Sequence, residues 1–155
     1  MSIKLWTLID GELTSHFSLH EFTVSASSQE KQTLVHTFAQ VHYSVLEGLE
    51  KVRRDLAVHE GTECWIKITC AVRTEARNKE LAEEYGWTDE GGTVARHSKH
   101  LPEYRGIAVD LYAYYKATGE RVAPKLVGEI ARRYFDYVKD TYRDGHIHAD
   151  QRNHL

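Results

Sequence analysis

Two short stretches rich in histidine and aspartate, far apart in the chain, constrain what this sequence can fold into. The first runs His97-Ser98-Lys99-His100-Leu101-Pro102-Glu103-Tyr104-Arg105-Gly106-Ile107-Ala108-Val109-Asp110 and passes straight into the apolar segment Leu111-Tyr112-Ala113-Tyr114-Tyr115. The second is Asp144-Gly145-His146-Ile147-His148-Ala149-Asp150. Neutral imidazole and carboxylate are natural ligands for zinc. We expect the two stretches to meet in space and hold one zinc ion with an open coordination position.

A chain of 155 residues is long enough for one sizeable core, and we read 1–155 as a single domain. The net charge is -3 with neutral histidines, and no basic stripe is visible, so no nucleic-acid partner is expected. No apolar run approaches a membrane span, so no membrane insertion is expected. Met1-Ser2-Ile3-Lys4-Leu5-Trp6 shows neither a long apolar run nor a small-residue cleavage site, which reads as the absence of a signal peptide and synthesis in the cytoplasm. Cys64 and Cys70 fall six apart in one apolar run. In an extended strand both would point to the same face, too far apart to bridge, so they read as buried free thiols.

In chain order, Asp10-Gly11 is a possible turn, and Phe17 and Phe22 are expected to anchor an N-terminal arm to the core. Ser27 followed by Glu30 has capping-box spacing. A long helix is predicted over roughly residues 29–57, because Leu34, Val35, Phe38, Val41, Val45, Leu46, Leu49 and Val52 recur at three- and four-residue steps. Gly48 weakens it and Gly61 ends the region. Cys64–Cys70 alternates like a strand, and a short helix runs through about Tyr85. Residues 86–99 read as a loop, 106–112 as a second strand, 122–141 as a second amphipathic helix, and 146–150 as a final short strand. The expected architecture is α+β: a small, mostly antiparallel sheet packed on two long helices, with the zinc site on the sheet.

Ten histidines is a high count for this length. His36, His42 and His59 read as surface or satisfied core residues. His146 and His148 differ, since side chains two apart on a strand share a face and can supply one ligand and one acid/base group.

These residues resemble a known family. Ser98-Lys99-His100 followed by Gly106-Ile107-Ala108-Val109-Asp110 is similar to the SxHxxGxAxD signature of the M15 zinc peptidases, which include D-Ala-D-Ala carboxypeptidases and peptidoglycan-cleaving phage endolysins. The run Ile68-Thr69-Cys70-Ala71-Val72-Arg73-Thr74-Glu75-Ala76-Arg77-Asn78 resembles the family's ITSGYRSxxxN segment. His16–Phe22 is similar to its FxxxEF segment, and His146-Ile147-His148 to its last ligand strand. The resemblance implies that His100, Asp110 and His148 bind Zn2+, that Arg73 faces the substrate's carbonyl or carboxylate, and that Ser98 bonds locally behind the ligands. A surface salt bridge of Arg73 with Glu75 or Glu80 is the plainer alternative.

Two departures from the family pattern matter. His100 and Asp110 are ten apart where the signature has seven, which we read as an inserted loop around Pro102-Glu103-Tyr104 with both ends still on the site. Many members place a general-base glutamate three residues before the last histidine; here Gly145 holds that position. His146 and Asp144 are the groups that could substitute, His146 being preferred because a strand fixes its direction.

The resemblance implies a zinc metallopeptidase that hydrolyses a peptide bond of bacterial peptidoglycan next to a D-amino acid, as a phage or prophage cell-wall hydrolase acting on the wall after release. A catalytically inactive, zinc-stabilised cell-wall-binding module and a virion structural module are the rival expectations.

Overall fold

The structure, a computed structural model, describes residues 13–31 and 38–155. The possible turn at Asp10-Gly11, and Leu34, Val35 and His36, lie outside the described residues. Among the described residues, three α-helices accompany a four-stranded sheet: α1 Tyr43–Glu60, β1 Cys64–Cys70, α2 Glu75–Tyr85, β2 Ala108–Tyr115, α3 Pro124–Ala131, β3 Tyr137–Lys139 and β4 Ile147–Asp150. The strand order is β1-β2-β4-β3, and every neighbouring pair is antiparallel. The α+β class and the antiparallel sheet agree with the sequence reading. No helix of the described residues is long and apolar enough to cross a membrane.

The sheet has two unlike faces because side chains alternate along a strand. Cys64 and Ile66 on β1, Val109, Leu111 and Ala113 on β2, and Ile147 and Ala149 on β4 turn inward to the buried core. Val45, Leu49, Val52 and Leu56 of α1 and Val127 and Ile130 of α3 close that core from the other side. Phe17 and Phe22 are buried in it, so the N-terminal arm is anchored as expected. Gly48 would ordinarily cost α1 about 1 kcal/mol relative to alanine. A Cβ there would stand 2.9 Å from the Phe135 ring, so the small residue is what lets the segment after α3 pack against α1.

Two predicted helices are shorter than the spacing implied. Helix α1 starts at Tyr43, not near residue 29, and His42 caps it by accepting the Ser44 N–H at 3.2 Å. Residues 38–41 are not helical: Val24 N–H bonds Phe38 O at 2.8 Å, Gln40 N–H bonds Phe22 O at 3.1 Å, and Thr23 bridges Ala39. This pairing with the N-terminal arm overrides the helical spacing of Phe38 and Val41. The expected capping contacts are present, with Ser27 N–H on the Glu30 carboxylate at 2.9 Å and Glu30 N–H on Ser27 Oγ at 3.3 Å.

The predicted helix over 122–141 is corrected more sharply. Helix α3 ends at Ala131, and β3 follows within the same stretch. Tyr134, Phe135, Tyr137 and Val138 are aromatic or β-branched and favour a pleated surface. Tyr137 pairs with Asp150 and Lys139 with His148, so the segment covers the edge that β4 would otherwise leave open. Among the described residues, one long helix, α1, and one short helix, α3, stand behind the sheet.

Candidate metal centre

The outer face of the sheet carries the site. Asp110 on β2 stands directly opposite His148 on β4 in the antiparallel register. His100 reaches them from the loop before β2. That loop makes a short 3₁₀ turn at Pro102–Tyr104, then passes through Arg105 and Gly106 with φ of 61° and 74°. It occupies the stretch between His100 and Asp110, and the two residues meet at its ends, Nε2 to Oδ1 at 3.0 Å. Gly106 O accepts the His42 N–H at 2.9 Å, and a Cβ on Gly106 would meet Val41 at 2.7 Å, so no larger residue fits where the loop passes the start of α1. His100 N–H reaches Ser98 Oγ at 3.3 Å, and His100 O accepts the Arg73 N–H at 2.8 Å.

Three atoms converge. His100 Nε2 lies 3.0 Å from Asp110 Oδ1 and 3.1 Å from His148 Nδ1, and His148 Nδ1 lies 3.0 Å from the same Asp110 oxygen. Ligands about 2.0–2.1 Å from one tetrahedral ion would stand about 3.3 Å apart, close to this spacing. The second nitrogen of each ring is engaged elsewhere. His100 Nδ1 is 2.6 Å from Ala71 O, a pure acceptor, so the ring donates there. His148 Nε2 is 2.8 Å from Asp150 Oδ2 and donates to it. The other nitrogen of each ring faces Asp110, the position from which it would offer a lone pair to an ion, and outer partners of this kind orient the ligands of metal sites.

Burial alone would raise the Asp110 carboxyl, but His100 and His148 hold it far below the usual carboxylate range. Burial alone would depress His100, yet Asp110 carries it well above the ordinary histidine range. Without a cation, a proton on His100 balances the buried carboxylate; a divalent ion would replace that proton.

Cys70, His100 and Asp110 form a group that could hold a metal ion, with one donor atom from each inside a 4.8 Å span. The thiol was expected to share a face with Cys64 beneath the sheet. A bulge between Ile68 and Cys70 changes that: Trp65 pairs with Tyr114 and Lys67 with Tyr112, but Cys70 rather than Thr69 pairs with Asp110. The extra residue turns the thiol toward the site, as bulges near functional sites often do. Cys70 Sγ is 3.7 Å from His100 Nδ1. The tighter set is His100, Asp110 and His148, whose donors already sit at ligand spacing.

Asp110 Oδ2 faces two further groups. Arg73 Nη2 lies 4.0 Å from it and His146 Nε2 3.9 Å. Arg73 Nη1 donates to Asn78 Oδ1 at 3.0 Å, and Asn78 is held in turn through Ala95 O at 3.0 Å. The alternative salt bridge is not formed among the described residues, since Glu80 takes Arg77 at 2.6 Å. Arg73 Nε is buried without a hydrogen-bond partner among the described residues, a state that calls for a functional explanation.

His146 precedes β4 rather than lying within it, but its ring still turns toward the site. Its Nδ1 sits 2.5 Å from Asp144 Oδ1, and its face stacks on Tyr142 at 3.9 Å between centroids. Tyr112 donates its hydroxyl to Asp144 Oδ2 at 3.2 Å. Burial alone would raise the Asp144 carboxyl, but the bonds from His146 lower it below its ordinary value. Burial pushes Tyr142 up to about 12, so it stays neutral beside His146.

Sequence reasoning assigned no role to Asp150, Arg152, Asn78 or Cys70. Asp150 continues the two-residue step of His146 and His148, and that alternation was the signal for it. Arg152 then holds Asp150 in a fork, Nε to Oδ1 at 2.8 Å and Nη2 to Oδ2 at 2.7 Å. Comparison with protein-family models, with curated proteins and with solved structures finds no match to this chain.

Proposed function

We propose that this chain is a zinc-dependent peptidase that hydrolyses a peptide bond of bacterial peptidoglycan next to a D-amino acid, as its resemblance to the M15 zinc peptidases implies, and that it serves as a phage or prophage cell-wall hydrolase. The observation that carries the metal reading is the convergence of His100 Nε2, Asp110 Oδ1 and His148 Nδ1 within 3.0–3.1 Å, with both ring tautomers set from behind. Two imidazoles and a carboxylate suit zinc and leave a fourth position open. When bound, zinc would lower the pKa of a water molecule and polarise the scissile carbonyl.

The protein's own residues supply the proton transfers. His146 donates Nδ1–H to Asp144 and keeps a free lone pair on Nε2, 3.9 Å from Asp110 Oδ2. It takes a proton from the attacking water at Nε2 as the water oxygen bonds the peptide carbon. It returns that proton to the departing amine as the carbon–nitrogen bond breaks. Asp144 holds the ring; its lowered pKa makes it a poor proton acceptor near neutrality and a good anchor for the imidazole. Arg73 faces the same space with a guanidinium, and a planar fork of donors suits a carbonyl oxygen gaining charge or a substrate carboxylate.

The test is incubation of the purified chain with purified peptidoglycan, read by mass spectrometry of released peptides, together with metal analysis of the protein. Release that stops with a chelator and returns with zinc is expected. A chain that carries zinc and binds the wall but releases no peptide would sink the enzymatic reading in favour of the inactive module, which Gly145 in the glutamate position favours.

A further inference from the structure

The metal reading leaves one soft donor beside the ligands unused. Cys70 pairs with Asp110 across β1 and β2, and its Sγ lies 3.7 Å from His100 Nδ1 and 3.6 Å from Arg73 Nη2. Donor atoms of Cys70, His100 and Asp110 share a 4.8 Å span. Cys64 is buried on the opposite face of the sheet, so the bulge gives the two thiols different surroundings.

We infer that Cys70 is an exchangeable fourth protein ligand of the ion held by His100, Asp110 and His148, an inference that rests on the metal reading above. Sulfur and nitrogen donors on one tetrahedral zinc ion stand about 3.6 Å apart, from bond lengths of about 2.3 and 2.0–2.1 Å. The other three donors are already gathered, and the thiol stands within 4.8 Å of a donor atom of His100 and of Asp110. One torsion with three staggered wells sets where Sγ stands relative to the backbone, so rotation about it is the motion by which the thiol would join or leave the ion. On ligation the thiol releases its proton to solvent and its sulfur donates an electron pair to the ion; nothing is oxidised or reduced. With Cys70 on the ion, all four positions are filled by protein and water is kept off. With Cys70 released against Arg73, the fourth position opens. A thiolate among the donors also biases the site toward softer cations.

The full chain, stripped of metal and loaded with cobalt(II) in the absence of substrate, tests this. Thiolate-to-cobalt charge transfer absorbs in the near ultraviolet, and bound cobalt is counted separately by metal analysis. The wild type and Cys64→Ser should show the band. Cys70→Ser and Cys70→Ala should lose it while keeping their cobalt. Bound cobalt without the band in the wild type, or a band that survives Cys70→Ser, overturns the role of Cys70 and leaves the three-ligand site standing. Failure of the folded wild type to bind cobalt at all overturns both.

Discussion

His148 Nε2 lies 2.8 Å from Oδ2 of Asp150, a carboxylate with no exposed surface. The contact fixes which nitrogen of His148 faces Asp110. Arg152 holds the same carboxylate from the other side, so a chain of charge-assisted contacts runs from the surface to the site. Metal analysis of purified protein should therefore find about one zinc per chain. His100→Ala, Asp110→Ala and His148→Ala should each remove most of it. Asp150→Asn should keep the fold but weaken zinc binding by about 10–100-fold, the usual cost of losing an outer partner of a ligand. Full metal content in His148→Ala would refute the ligand set.

Asp150 also sets an acid dependence. Burial alone would raise its pKa, but Arg152 and His148 bring it down to about 2 from the usual 3.8. Because the folded value is the lower one, its contribution is fully present above about pH 4 and is lost as pH falls toward about 2. A drop of this size corresponds to on the order of 2 kcal/mol at neutral pH. Denaturant unfolding of the metal-free protein should show wild type more stable than Asp150→Asn at pH 7, with the gap closing in acid. A gap unchanged between pH 7 and pH 2 would mean the carboxylate is not held as described.

The residues that could converge were legible because imidazoles and carboxylates clustered in two stretches that each end in a strand. The alternation of Cys64–Cys70 and the apolar run at Leu111–Tyr115 likewise located β1 and β2. What was not legible depends on pairing between distant segments. A one-residue bulge exchanges the faces of Thr69 and Cys70, and nothing in the local pattern marks it. Phe38 and Val41 sit at helical steps from α1, yet pairing of their segment with the N-terminal arm takes them out of the helix. Tyr134, Phe135 and Val138 mimic a helix stripe, whereas the free edge of β4 draws Tyr137–Lys139 into the sheet.

Arg73 differs from a surface arginine in what surrounds it. Its guanidinium touches Asn78, Cys70 and the edge of Asp110, and no carboxylate neutralises it at closer than 4.0 Å among the described residues. Arg73→Lys preserves the charge but removes the planar fork. Zinc content should survive, and peptide release should slow by at least about tenfold, the lower end for losing an oriented donor to a developing charge. Unchanged turnover in Arg73→Lys would return the residue to a structural role.

The general base is the sharpest test of the mechanism, because Gly145 removes the group that the resemblance would otherwise supply. His146 has one nitrogen on Asp144 at 2.5 Å and the other facing Asp110 Oδ2 across 3.9 Å, a gap wide enough to place a water or a substrate atom between them. Histidine is suited to accept and return a proton near neutrality. Asp144 is held below its ordinary pKa and is mostly exposed, which suits an anchor and not a base. His146→Ala should therefore leave zinc bound and cut turnover about 100-fold or more, the typical share of general acid–base catalysis. Asp144→Asn should cost less, since the ring loses a charged partner while Tyr142 still stacks on it. Steady-state rates on a defined peptidoglycan fragment, with zinc content measured on the same samples, separate the outcomes. If Asp144→Asn abolishes turnover while His146→Ala is nearly silent, the carboxylate is the base. If both variants turn over like the wild type, proton transfer does not pass through this pair, and the mechanism built on it is wrong.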